Sequence, residues 1–178
     1  MGFCGELWGF LIIFAHNLFE MTNGLWGEFE CKVDAKLRFV FPVKLREQIG
    51  DAFGEGLMVA RDLNRNILKV YPMKNWNRIN KHLSKLNRFI KKNDDIVRRI
   101  TGGATAVEAD STGRILIPRS LADWAGLKNE IVVFGSNDVI EIWDKNSYQE
   151  FYKEDADIEK MAEEVFGSMN FGTDDDDE

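Results

Sequence analysis

One sequence pattern occurs twice in this chain, and that duplication limits its fold more than any other feature. The clearer copy is Ala109-Asp110-Ser111-Thr112-Gly113-Arg114-Ile115-Leu116-Ile117-Pro118. Asp110-Ser111-Thr112-Gly113 is turn chemistry: Asp and Ser side chains cap a turn, and Gly supplies positive φ. Ala104 to Ala109 can run extended before the turn, and Ile115-Leu116-Ile117 is a short aliphatic strand stopped by Pro118. Pro118 stands where a helix begins, Arg119 to Ala125 follows as that helix, and Gly126 closes it. The spacing predicts a hairpin with Arg114 just past the bend, its guanidinium turned outward. In the other copy, Asp34, Arg38, Pro42 and Leu45 match Asp110, Arg114, Pro118 and Leu121, and a helix over Val43 to Ile49 ends at Gly50.

The match continues beyond the helices. Leu57-Met58-Val59-Ala60 pairs with Ile131-Val132-Val133-Phe134, Ile67 to Tyr71 with Val139 to Trp143, and Trp76 with Tyr148, the offset drifting only from about 76 to about 72 residues. This is an internal repeat. At 178 residues and 44% hydrophobic the whole chain can bury an ordinary core, but each half alone is marginal in size. Two copies packed about a pseudo-twofold axis satisfy both facts.

Around the repeats the chain divides as follows. Residues 1–20 are an apolar extension, 21–73 the first unit, 74–103 linking helices, 104–147 the second unit, 148–166 a helical segment and 167–178 a disordered acidic tail. Glu28 to Val33 alternates polar and apolar residues as a half-buried strand does. Pro72 opens a helical pattern in which Trp76, Ile79, Leu83, Leu86 and Ile90 form one apolar stripe. Lys74, Arg78, Lys81, Lys85, Arg88, Lys91 and Lys92 fall largely on its other side. Asn93-Asp94-Asp95 reads as a break and a fresh cap, with a second helix over Ile96 to Ile100. Ser136-Asn137-Asp138 reads as a tight turn, Asp144 to Tyr152 as the counterpart helix, and Asp157 to Phe166 as its continuation.

Leu7 to Ala15 resembles a signal-peptide core but has no basic leader and is too short to span a bilayer as a helix. We expect translation to start at Met21, rather than residues 1–20 to anchor the chain at a membrane surface. Cys4, Cys31, His16 and His82 have no metal-site spacing, so neither a metal, a cofactor nor a disulfide framework is expected. The net charge of −7 hides an uneven distribution. From Met21 to Ile100 about 17 Lys and Arg stand against about 9 Asp and Glu, whereas from Thr101 onward the balance is about 6 against 19. A basic first half fits a nucleic-acid partner despite the acidic average.

Arg38 and Arg114 are the leading candidates for chemistry. Matching hairpins would display two guanidiniums to phosphate or to guanine edges, which Arg meets in a bidentate way. The plainer account has each Arg stapling its turn through Asp34 or Asp110; the duplication favours the functional one. Asp34 and Asp110 as a catalytic carboxylate pair have no other support, and turn capping explains them better, so no enzyme is expected. The basic face of the Trp76–Ile90 pattern is more simply a solvated outer face than a DNA-backbone contact, and His82 a boundary residue. Trp76, Trp124, Trp143 and Tyr148 lie on apolar faces and read as core or interface anchors. The acidic tail reads first as a solubility feature, ahead of competition with DNA or docking to a basic partner.

Two tandem Asp-x-x-Gly-Arg-x-x-x-Pro motifs, each followed by a short helix and a strand pair, resemble the MraZ family of bacterial transcriptional regulators. Gly27-Glu28-Phe29-Glu30, Val70-Tyr71-Pro72-Met73 with Trp76, and Glu141-Ile142-Trp143-Asp144 are similar as well, and the likeness spans about Met21 to Val165. It implies a β-rich α+β fold: two SpoVT/AbrB-type swapped-hairpin units in a pseudo-twofold double-split β-barrel with peripheral helices. It further implies a homo-oligomeric ring in the cytoplasm, nucleoid-associated. Such a ring would bind double-stranded DNA at promoter repeats before the division and cell-wall gene cluster, usually to repress it. DNA contact would fall to Arg38 and Arg114, with Lys36 helping the first. One departure stands out: Leu37 occupies the Gly position of the first motif. If that position needs positive φ, Leu costs on the order of 1 kcal/mol or more and is expected to reshape the hairpin. The rival readings are an antitoxin-like module whose acidic tail wraps a basic partner, and a purely structural ring.

Overall fold

A computed structural model describes residues 24–153, together with 158, 161, 162, 164 and 167. The apolar extension at residues 1–20, the acidic tail and most of the Asp157–Phe166 helix lie outside the described residues. The chain forms two compact units, one ending at Lys145 and one beginning at Asn146. Within the first, strands β1 (Leu25–Lys32), β2 (Arg38–Val40), β3 (Leu57–Arg61) and β4 (Leu68–Pro72) belong to the first repeat. Strands β5 (Thr105–Val107), β6 (Arg114–Leu116), β7 (Glu130–Asn137) and β8 (Val139–Asp144) belong to the second. The helices are α1 (Val43–Ile49), α2 (Met73–Leu83), α3 (Lys91–Thr101), α4 (Arg119–Trp124) and α5 (Lys145–Lys153), the last mostly in the second unit. The fold is β-rich α+β, and its strand pairs are antiparallel.

The sheet order records the duplication. Six strands run β1-β7-β8-β4-β3-β5, and exchanging each strand for its repeat counterpart reproduces the same order reversed. The centre of the sheet is the β4–β8 pair, where Lys69 faces its counterpart Glu141. Each copy sends its first strand to the other: β1 pairs with β7, and β5 with β3. The remaining strands form a two-stranded ribbon, β2 with β6, centred on Phe39 opposite Ile115. The second motif is therefore not a self-contained hairpin. Ala109 makes only a single bridge to Ile115, because β6 spends its ladder on β2 of the other copy.

Burial explains the exchange. Phe39, Phe41, Leu45, Ile115, Ile117 and Leu121 are all buried in one core with Leu57, Leu68, Ile131 and Ile140, so neither copy's apolar set closes without the other. Pro42 and Pro118 start α1 and α4 as expected, and Gly50 and Gly126 follow them at φ 63° and 62°. The β7–β8 connection is tight, with Ser136 paired to Val139 and Asn137 at φ 61°, a backbone that Asn tolerates. The longer β3–β4 loop is organised by buried Asp62. Its carboxylate accepts the Asn64 and Arg65 N–H groups at 2.9 Å and pairs with Lys69 at 2.7 Å.

The linking helices depart from expectation. The apolar stripe from Trp76 does not continue to Ile90: α2 stops at Leu83, and the break falls at residues 84–90. Asn93, Asp94 and Asp95, expected as the break, lie inside α3. Local side-chain competition accounts for the shift. The Ser84 hydroxyl donates to the Lys81 carbonyl at 2.9 Å, and the Asn87 carboxamide oxygen takes the Phe89 N–H at 3.0 Å. Among the described residues, no helix is long and apolar enough to cross a membrane and no cluster of His, Cys, Asp and Glu could hold a metal ion.

Candidate nucleic-acid interface

Both motif turns are built from the same bonds. In the first, Asp34 Oδ1 accepts the Lys36 N–H at 2.8 Å and the Arg38 N–H at 2.9 Å. Asp34 Oδ2 takes the Arg38 guanidinium through Nε at 2.9 Å and Nη2 at 2.8 Å. In the second, Asp110 Oδ1 accepts the Thr112 and Arg114 N–H groups at 2.9 and 3.0 Å and the Thr112 hydroxyl at 2.6 Å. Asp110 Oδ2 takes Arg114 Nε at 3.1 Å. Each carboxylate is committed to its own turn, which accounts for both without a shared dyad. The expected outward Arg is thus half-exposed and held by its Asp, with side-chain exposures of 35% for Arg38 and 40% for Arg114. Only part of each guanidinium's donor set is used, so stapling and display coexist.

The ribbon then brings the two turns together. Arg38 lies opposite Leu116, and Val40 opposite Arg114, so these four side chains share one face while Phe39 and Ile115 fill the other. Arg38 and Arg114 are diagonal neighbours, about 7–8 Å apart at the backbone. Val40 and Leu116 are both more than half exposed. Lys36 is exposed at the tip of the first turn. The interface is a small twofold face of two guanidiniums and two aliphatic groups. The strands are locked crosswise: Phe41 N–H donates to the Gly113 carbonyl and Ile117 N–H to the Leu37 carbonyl, both at 2.9 Å.

The first turn corrects one expectation. Leu37 does take positive φ, 61° against 76° at Gly113, so the strain of about 1–2 kcal/mol is real. It does not reshape the hairpin, whose backbone hydrogen bonds and Asp–Arg Nε bond match those of the second. The difference lies in what faces each turn. Arg46 of α1 reaches the second turn, where a Cβ on Gly113 would stand 2.5 Å from Arg46 Nη1. The repeat counterpart of Arg46 is Ala122, small and buried. The first turn therefore has no counterpart of Arg46, and Leu37 packs against the core cluster that contains Ala122, offsetting its backbone strain. Arg46, which stands beside the candidate face, is the residue that motif reasoning missed; its own repeat position carries no charge, so the duplication gave no signal for it.

Other aromatic expectations resolve simply. Trp76 and Trp143 are buried, and Trp124 carries the Arg61 guanidinium 5.3 Å from its ring centre. None of the three is displayed as a base-stacking platform. His82 is a boundary residue, as expected.

Two turns that exchange strands to form one Arg-bearing ribbon define a tandem swapped-hairpin protein. Comparison with known proteins agrees. A family model described as "MraZ protein, putative antitoxin-like" matches residues 25–99 and again 100–168. A transcriptional regulator MraZ of Christiangramia forsetii is 42% identical over 148 residues, 83% of this chain and 96% of the relative. One from Flavobacterium psychrophilum is 41% identical over 83% of this chain and 95% of the relative. One from Clostridium tetani is 34% identical over 78% and 94%. The chain belongs to the MraZ family.

Two outcomes follow from the turn geometry. Gly113→Ala should cost about 1–2 kcal/mol in urea unfolding from positive φ, plus a steric cost against Arg46; in an Arg46→Ala background only the steric cost should vanish. The Thr112 hydroxyl with the Arg114 N–H, and in the first turn the Arg38 N–H and guanidinium, hold Asp110 and Asp34 below the ordinary aspartate value of 3.8. Because the folded values are depressed, this contribution to stability is complete above about pH 4 and is lost as pH falls through them. Carboxyl-carbon NMR titration should place both inflections below 3.8, with no change across neutral pH.

Proposed function

We propose that this chain is a DNA-binding transcriptional regulator, a repressor of the division and cell-wall gene cluster, working in the cytoplasm on nucleoid DNA. The observation that carries the reading is the paired-turn face, with Arg38 and Arg114 held by their own carboxylates beside exposed Val40 and Leu116. Guanidinium groups pre-set in this way suit guanine edges, and small aliphatic groups suit thymine methyls in the major groove. A two-stranded ribbon can enter that groove in place of a recognition helix. Lys36 would add a phosphate contact, and Arg46 would strengthen the second turn.

A single ribbon offers few contacts. Assembly into a ring would set several such faces along repeated promoter sites, and linked weak contacts raise avidity without any new chemistry. The names of the relatives as transcriptional regulators support this reading. The antitoxin-like wording of the family description supports a second one, in which the acidic residues at the chain's end bind a basic protein partner.

Fluorescence anisotropy on a duplex from the chain's own upstream region tests the first reading. Arg38→Ala and Arg114→Ala should each weaken binding by about 1–3 kcal/mol and relax discrimination against a scrambled duplex. Lys36→Ala should lower the salt slope by about 1 and leave discrimination intact. Absence of binding by the correctly assembled wild-type protein would overturn the proposal.

A further inference from the structure

Between the two copies lies a surface that the ribbon does not use. Lys74, Arg78 and Lys81 recur along α2 at steps of four and three residues, and Lys85 follows four beyond. At 3.6 residues per turn Lys74, Arg78 and Lys81 form one narrow stripe, and Lys85 lies just past the helix end in the 84–90 turn. Buried Trp76 and Leu83 lie on the opposite side and anchor α2 in the protein, while Lys74, Lys81 and Lys85 are exposed.

The turn that follows is firmly built. Besides the Ser84 and Asn87 bonds, the Asn93 carboxamide donates to the Asn87 carbonyl at 3.0 Å. Asp94 clamps Arg88 and Arg98, each at 2.7 Å. This frame holds Phe89 wholly in solvent, at 101% relative exposure, with Ile90 half-exposed beside it. Lys85, Lys91 and Lys92 flank them in the sequence, all exposed. Asp94 is already engaged by two arginines, and among the described residues no carboxylate forms an ion pair with Lys74, Lys81, Lys85, Lys91 or Lys92.

We propose that α2 and the 84–90 turn form a second DNA contact, which takes the phosphate backbone of a duplex without reading its sequence and lays Phe89 against the adjoining sugar edge. This rests on the DNA-binding reading of the ribbon and adds a partner surface to it. Charge complementarity argues for the occupant. A duplex strand presents a continuous line of phosphates, one about every 3.4 Å of axis, and Lys74, Arg78 and Lys81 set cations about 4.5–6 Å apart along α2, a line that meets one strand without matching its phosphates one for one. A line of cations ending in an aromatic group suits a polymer with sugar and base edges beside its charges. A lipid surface would use the same residue types but calls for a broad apolar helix face, and the apolar side of α2 is buried in protein.

The test is a salt titration of binding to the upstream duplex and to a scrambled duplex, using the full chain. The triple variant Lys74→Ala, Lys81→Ala, Lys85→Ala should lower the slope of log K against log salt by about 2–3 on both duplexes. The ratio between the two affinities should stay unchanged. Replacing the same three residues with Arg should restore the slope, which separates charge from folding. Phe89→Ser should weaken binding to both duplexes with little change in slope.

An unchanged slope in the triple variant, with Arg38→Ala and Arg114→Ala still defective, would overturn this inference and leave the ribbon reading standing. No binding of either duplex by wild type would remove both. Pelleting with phosphatidylserine vesicles that is lost in the triple variant, while its DNA slope is retained, would assign the surface to membrane and overturn the DNA contact.

Discussion

The pairing of Arg38–Val40 with Arg114–Leu116 is the contact on which the rest of this structure depends. It joins strands that belong to different copies of the repeat, buries Phe39 against Ile115 on its inner face, and is locked by crossed bonds from Phe41 and Ile117 to the opposite turns. On either side of the ribbon each copy's first strand pairs with the other copy's third, β1 with β7 and β5 with β3. A half-chain would leave these apolar faces and ladder edges unpaired. The exchange also brings both motif turns onto one surface, which neither copy could present alone.

The two turns solve one backbone problem in different ways. Both need positive φ at the residue before the Arg. The second uses Gly113, which also leaves room for Arg46; the first uses Leu37, whose strain is offset by packing against the core cluster, and Ala122 stands where the repeat would place a second Arg46. The pseudo-twofold face is therefore chemically uneven: an extra guanidinium attends the Arg114 turn, and an apolar group and Lys36 attend the Arg38 turn. A ligand with two unlike halves would be read in one orientation on such a face.

Much of this was legible in the sequence because duplication gives every observation a second witness. The Asp, Arg and Pro spacing placed both turns and both short helices correctly, and the Ser136-Asn137-Asp138 turn was plain from its residue types. What one copy exchanges with the other was not legible in the residues of either motif; the swapped-hairpin architecture is implied only by the family resemblance. A motif read locally predicts a hairpin closing on itself, and only the shared burial of Phe39 and Ile115 sends β6 to β2 instead. The linking helices failed for a different reason. An apolar period through Ile90 looked continuous, yet the Ser84 and Asn87 side chains bond the neighbouring backbone of Lys81 and Phe89 where the helix ends, leaving Ile90 and Phe89 outside. Arg46 was invisible because nothing in its repeat position echoes it.

The central claim is that Arg38 and Arg114 act together, as one ribbon, on one stretch of DNA. A cryo-electron microscopy structure of the assembled protein on its upstream duplex tests this most directly. The account predicts the β2–β6 ribbon of a protomer in a single major groove, with both arginines on neighbouring base edges and each still bonded to its own aspartate. A complex in which only one turn meets the DNA, or in which the ribbon faces solvent or another protomer, would contradict it.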